Sequence, residues 1–348
     1  MFQIRLVKLS ALMIGLLGLA SPTLAQQKPG ASGLAIVARI AGPDGGWDYA
    51  SFDASRRRIY VAHGVRVMSI DADKGTVNSD FAAGKHLHAV VPVPGTDLLL
   101  TTNGADSSAK IISAIDGKLI SSITTQKDPD GAVFDPSSGL VVVVNGEAGM
   151  VSLVDPKAAK VVDTITVGAG LEYPAVDGKG RLYVNIEETG EIAVIDLAAR
   201  KVLGRYPMPG CKGPTGLALA MDGRLISACS NGVAKILDAA SGHEIASFTI
   251  GARPDAVLLD GPRGMAYIPS AMTGTLAVIA LAGPANNTII DTVTTQRGAR
   301  TGTVDLKTGK IYLPAAEYVM PTAGQRPEPK PGTFQILVLD RPTASKAK

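Results

Sequence analysis

Two histidines stand one residue apart in KHLHAV, residues 85–90, in a chain that has only four. Side chains alternate faces in an extended segment, so His86 and His88 point the same way. A pair placed like this is half of a metal site, a catalytic histidine with a neighbour, or two polar residues on a rim. A third histidine, His63, ends the strand-like run RIYVAHG shortly before. Histidine beside carboxylate is reasonable ligation for zinc, copper or iron, which makes His63, His86, His88 and Asp130 a candidate metal set. No tight spacing such as HExxH accompanies them, so hydrogen bonding at a rim and general acid–base work remain open.

The elements that must position these residues repeat along the chain. Short β runs close on an aspartate in VRVMSID (to Asp71), AKIISAID (Asp116) and MVSLVD (Asp155). EIAVID (Asp196), VAKILD (Asp238) and FQILVLD (Asp340) continue the series, and TLAVIA fills the remaining slot without its aspartate. The spacing is about 40–45 residues, except for a longer last interval of about 60. Each unit adds a leading strand, a second strand such as RLYVNIE and a fourth such as KVVDTITVG. Four strands at this period predict an all-β propeller of antiparallel blades. Seven such units predict seven blades, near 42–82, 83–124, 125–166, 167–207, 208–250, 251–295 and 296–341. GLAIVARIA (33–41) reads as a displaced fourth strand that closes the ring in the last blade, because an open edge invites aggregation.

Composition agrees with this reading. The chain is 46% hydrophobic but 4% aromatic, with 39 glycines and 22 prolines, a mix that suits many short strands and tight turns. Residues 1–25 read as a removed targeting segment: Arg5 and Lys8, the apolar run LSALMIGLLGLA, then SPTLA with a cleavage site after Ala25. The run is short of the roughly 20 residues of a membrane span. A periplasmic or secreted single domain over 26–348 is therefore expected, without a transmembrane segment and monomeric. Without Arg5 and Lys8 the 34 basic residues nearly balance the 31 acids. The densest basic run, Arg56–Arg57–Arg58, reads as a solvated turn, which argues against nucleic-acid binding.

In a propeller the loops leading into the first strands share one face with those joining second to third strands. Aligning the lead-in loops gives one equivalent position per unit: Asp48, His88, Asp130, Glu172, Thr215, Asp255 and Arg300. Six of the seven are ionisable, whereas about a quarter of residues are charged on average. This is a solvated funnel or a polar ligand site. Carboxylates facing one channel repel each other unless a cation compensates, and Arg300 is one such charge. Cys211 and Cys229 flank the first two strands of one unit. In an exported chain they are expected to form a disulfide, with free thiols or a copper–thiolate site as the alternatives. EYVMPTAGQRPEPKPGTF (317–334) lengthens the last unit and reads as a mobile loop or a flap beside Arg300.

LYVNIEETGEIAVID (182–196) resembles the motif of the exported YVTN-repeat propellers, with degenerate copies in IYVAHG, LLLTTNG and AYIPSAMTGTLAVI. The resemblance spans nearly all of the mature chain and implies the fold. For function it implies only a class. Similar propellers bind a small polar molecule or another periplasmic protein in the funnel, here Asp48, His88, Asp130, Glu172, Asp255 and Arg300. Others are metal-assisted lactonases or lyases. In that case His88 or His63 would be the base, Glu172 or Asp130 the acid or ligand of a divalent metal, and Arg300 the clamp on a carboxylate or oxyanion. The sequence carries no GxSxG elbow, CxxC, CxxCH, P-loop or GxGxxG, so serine hydrolase, haem and nicotinamide chemistry are unsupported.

Overall fold

The computed structural model describes residues 30–168, 170–283, 287–319 and 328–342. The expected targeting segment and the middle of the Pro-rich insertion, 320–327, lie outside the described residues. The chain is a β-propeller of antiparallel sheets, typically four-stranded, ranged around one axis.

The aspartates that mark the repeat are turn residues. Asp71 accepts from the N–H groups of Asp73 (3.0 Å) and Lys74 (2.8 Å), and Asp155, Asp196 and Asp238 accept in the same two-and-three-residue pattern. A short carboxylate reaching forward to its own backbone ends the strand and sets the turn. Asp53, buried at the end of a first strand, does the same, and buried Asp305 accepts from the Lys307 N–H and the Thr308 hydroxyl. Burial pushes both acids up, and the donated hydrogen bonds outweigh it, leaving them below the usual carboxylate range. The expected solvated turn at Arg56–Arg58 instead ties neighbours together. Arg56 reaches Thr96 O (2.9 Å), and Arg57 pairs with Asp305 (2.7 Å).

The blade count corrects the expectation: there are six blades rather than seven. Residues expected as separate blades at 42–82 and 83–124 share one six-stranded sheet. Its strands Arg58–Asp71 and Val77–Pro92 run through the turn expected at Gly64 and the boundary expected at 82/83. Only Gly64 separates the second and third strand sequences there, too little chain for a loop. Gly64 pairs with Leu87 and Arg66 with Ala83, so pairing spans the expected boundary through a register shift. This blade therefore presents two inner segments to the axis, Ala50–Asp53 and the second half of Val77–Pro92. Ala35–Ala41 pairs antiparallel with Gln335–Asp340 and closes the ring with the start and end of the chain.

Apolar faces of neighbouring sheets form the core. Val142, Val144 and Leu153 pack on Leu182, Val184 and Ile195 of the next sheet. The outer strands share one device, an extra residue at Val37, Ile120, Val162, Leu203, Ile245 and Ile290, where the register skips. Such bulges bend the exposed edge away from pairing with another chain. Cys211 and Cys229 form the expected disulfide, with Cα atoms 5.5 Å apart. No helix among the described residues is long and apolar enough to cross a membrane.

Candidate functional site

Inner strands carry a second set of bulges, and these build the site. In Val77–Pro92 the register passes from Leu87–Asn103 to Val90–Thr101, so two residues, His88 and Ala89, oppose one. The same skip leaves Asp130 and Gly131, Glu172 and Tyr173, and Thr215 and Gly216 opposite single partners. Each ring residue in these four segments lies inside its bulge. Inner bulges re-aim a side chain out of the ladder, here toward the axis. Threonine hydroxyls then lock neighbouring segments together. Thr102 Oγ1 donates to Asp130 O (2.7 Å), Thr215 Oγ1 to Pro254 O (2.9 Å) and Thr301 Oγ1 to Asp48 O (2.8 Å).

His88 is the centre of one sector. Its Nδ1 lies 2.7 Å from Asp48 Oδ2 and 3.4 Å from Asp130 Oδ1, and its Nε2 is 3.9 Å from Asp128 Oδ1. These three segments are far apart in sequence and meet only through the ring. Across from them Arg300 donates to Asp255 through Nε (2.8 Å) and to the carbonyl of Trp47 (2.9 Å), and it stands 3.8 Å from Asp48.

Burial and mutual repulsion dominate the charge state of the funnel. Burial lifts the Glu172 carboxyl to about 10, with help from Asp130, Asp255, Glu187 and Asp48. Asp130 rises to about 8, through burial and then Asp48, although His88 opposes the shift. Asp255 rises to about 6, burial outweighing Arg300. Burial alone would lower His88, but the hydrogen bond to Asp48 and the charge of Asp130 carry it to about 9. The carboxylates of Asp48 and Asp130 thus favour the protonated form of His88.

His63 stands apart from this sector. Its Nδ1 and Nε2 lie 2.7 Å from the carbonyls of Gly46 and Pro43, and its ring stacks on Phe334 at 4.3 Å. Both ring nitrogens face backbone carbonyls, and His63 is not part of the Asp48–His88–Asp130 cluster. His86 meets His88 edge-on at 4.5 Å but remains exposed at the mouth. Among the described residues, the one set of three such side chains whose ligand atoms converge is Asp48, His88 and Asp130.

Sequence reasoning missed Asp128, Tyr49 and Tyr173. The rings of Tyr49 and Tyr173 meet at 4.6 Å from well-separated inner segments and pack in the core behind the ring acids. Burial, then Asp255, Asp130, Glu172 and Asp48, raises the Tyr49 hydroxyl well above its usual value, which puts it among the ring acids. The base of the Pro-rich insertion closes one side. Tyr318 and Phe334 pack on Trp47 at 6.1 and 5.2 Å, and Tyr318–Val319 pairs with Glu328–Pro329.

Solved structures with this architecture are numerous. The chain is similar to U3-55K (10% identity, 90% of this chain and 99% of that one, TM-score 0.75). It is also similar to the RRP9 WD40 repeats (9%, 91% and 99%, TM-score 0.75). A third likeness is to hydrazine synthase of Kuenenia stuttgartiensis (14%, 78% and 94%, TM-score 0.68). The fold is that of a WD40-like propeller. At these identities the likeness carries the fold alone. No protein-family model and no curated protein matches the sequence.

Proposed function

We propose that this chain is an exported, YVTN-like binding propeller that takes up a small, positively charged molecule in its funnel. The observation that carries this reading is a shortage of positive charge. Asp130, Glu172 and Asp255 all hold protons more tightly than isolated carboxyls, while the one guanidinium in the ring, Arg300, already serves Asp255. A cationic ligand would replace those protons and recover the full interaction of buried carboxylates. Export is supported by the leader-like residues 1–25 and by the Cys211–Cys229 disulfide.

Thermal unfolding of the mature protein with a panel of mono- and polyamines, neutral sugars and sugar acids tests the reading. Stabilisation by amines, weakened in Glu172→Gln, is expected. Stabilisation by the sugar acids alone, or by nothing in the panel, would overturn it.

A second reading, lactone opening or elimination in the same funnel, is favoured by the carboxylates Asp48 and Asp130 beside the His88 imidazole, a pairing suited to proton transfer. Turnover of a lactone panel, lost in His88→Ala, would support it, and no turnover above buffer would remove it.

A further inference from the structure

We infer that Asp48, His88 and Asp130 form a binding site for a first-row divalent metal ion of the zinc type. This rests on the cationic-ligand reading above and narrows it to one corner of the funnel. Three ligand atoms from three distant segments, His88 Nδ1, Asp48 Oδ2 and Asp130 Oδ1, lie within 4.8 Å of one another. Nδ1 is 2.7 Å from the first oxygen and 3.4 Å from the second. Ligands bound to a metal at about 2.1 Å are about 3.0–3.4 Å apart, so a small adjustment opens the space an ion needs.

Two buried atoms support the site independently. Asp130 Oδ1 and His88 Nε2 are shut off from solvent and have no hydrogen-bond partner among the described residues. A buried polar atom without a partner is costly and calls for an explanation. A metal ion would give Asp130 Oδ1 its missing partner and fix the orientation of the His88 ring. It takes Asp130 Oδ1 directly, and it displaces the Nδ1 proton so that Nε2 carries the N–H. That N–H then faces Asp128 Oδ1, 3.9 Å away. That distance is longer than a hydrogen bond, and an approach of about 1 Å would make the outer-carboxylate contact characteristic of histidine ligands.

Local backbone is arranged for the approach. A Cβ on Gly104 would stand 2.8 Å from His88 Nε2 and 3.0 Å from Asp128 Oδ1, so glycine leaves the room in which they meet. Asp128 holds the left-handed conformation (φ 60°), in which residues other than glycine are uncommon. One nitrogen and two carboxylate oxygens favour zinc, cobalt or iron over calcium and magnesium, which prefer all-oxygen sites. Two carboxylates balance the dication, and three protein ligands leave a position open toward the funnel.

The test is titration of the mature protein with Co²⁺, followed by visible absorption, and with Zn²⁺, followed by calorimetry. One Co²⁺ per chain, displaced by Zn²⁺, is expected. His88→Ala and His88→Gln should weaken it at least 100-fold while unfolding cooperatively. Asp128→Asn, a positioning change, should weaken it about 10–100-fold at unchanged stoichiometry. His243→Ala, at an exposed histidine, should leave it unaltered. No saturable Co²⁺ binding, or binding unchanged in both His88 variants and in Asp130→Asn, overturns the inference. If amines still stabilise the metal-free protein, the metal site alone has failed; if they do not, the funnel reading has failed with it.

Discussion

Replacing Glu172 with glutamine is expected to stabilise the free protein at neutral pH, although it removes a charge-bearing residue from the funnel. Burial first, then Asp130, Asp255, Glu187 and Asp48, raises this carboxyl from 4.5 to about 10. The folded chain therefore keeps a proton that the unfolded chain releases above pH 4.5. Stability from this group is fully present below pH 4.5 and is lost as pH rises toward about 10, at up to about 1.4 kcal/mol per pH unit. Between pH 5 and 7 the loss is at most about 3 kcal/mol, and water at the half-buried rim reduces it to about 1–2 kcal/mol. Glutamine keeps the shape and has no proton to lose, so its contribution to the slope vanishes. Urea unfolding of both proteins at pH 5, 6, 7 and 8 reads the difference directly. The wild type should lose stability more steeply than Glu172→Gln across the series. Parallel slopes would refute the electrostatic reasoning.

Three further outcomes follow from particular contacts. Gly104→Ala puts a methyl group 2.8 Å from His88 Nε2 and should abolish funnel binding with little change in the unfolding midpoint, as read by calorimetry and circular dichroism; unchanged binding would show that the notch is unused. Removing the Cys211–Cys229 link, which closes a span of 18 residues, should lower stability by about 3 kcal/mol, and an unaltered urea midpoint under reductant would contradict this. Protein recovered from the cell envelope should begin at Gln26 on N-terminal sequencing, whereas an intact Met1 would count against export.

Much of the ring was legible because the lead-in loops align on the ends of the inner strands, and a fold with rotational repetition turns that alignment into a circle. Asp130, Glu172 and Asp255 act on one another as that alignment implies. What aims them is the inner-strand bulge, and no residue type in HLHAV or PDGAV announces it. Asp128 escaped because one position per unit was compared, yet DPD repeats the two-residue offset of His86 and His88. Those two lead-in positions share a left-handed backbone, φ 53° at His86 and 60° at Asp128. The partners of His63, the carbonyls of Gly46 and Pro43, are backbone atoms without a sequence signature. Blade number was misread for a related reason. The repeat counts sequence units, whereas a sheet is defined by strand pairing, and that pairing joins Gly64 to Leu87 across the expected boundary, with a register shift beside it.

The claim that the funnel is an acidic site waiting for positive charge is tested most directly by calorimetric titration at pH 7. The mature protein is titrated with a small diamine in two buffers of different ionisation enthalpy. Neutral Asp130 and Glu172 should ionise as the ligand enters, so binding should release roughly one proton or more per chain, and Glu172→Gln should reduce that number. Binding with no proton released, in both buffers and both proteins, would contradict the account.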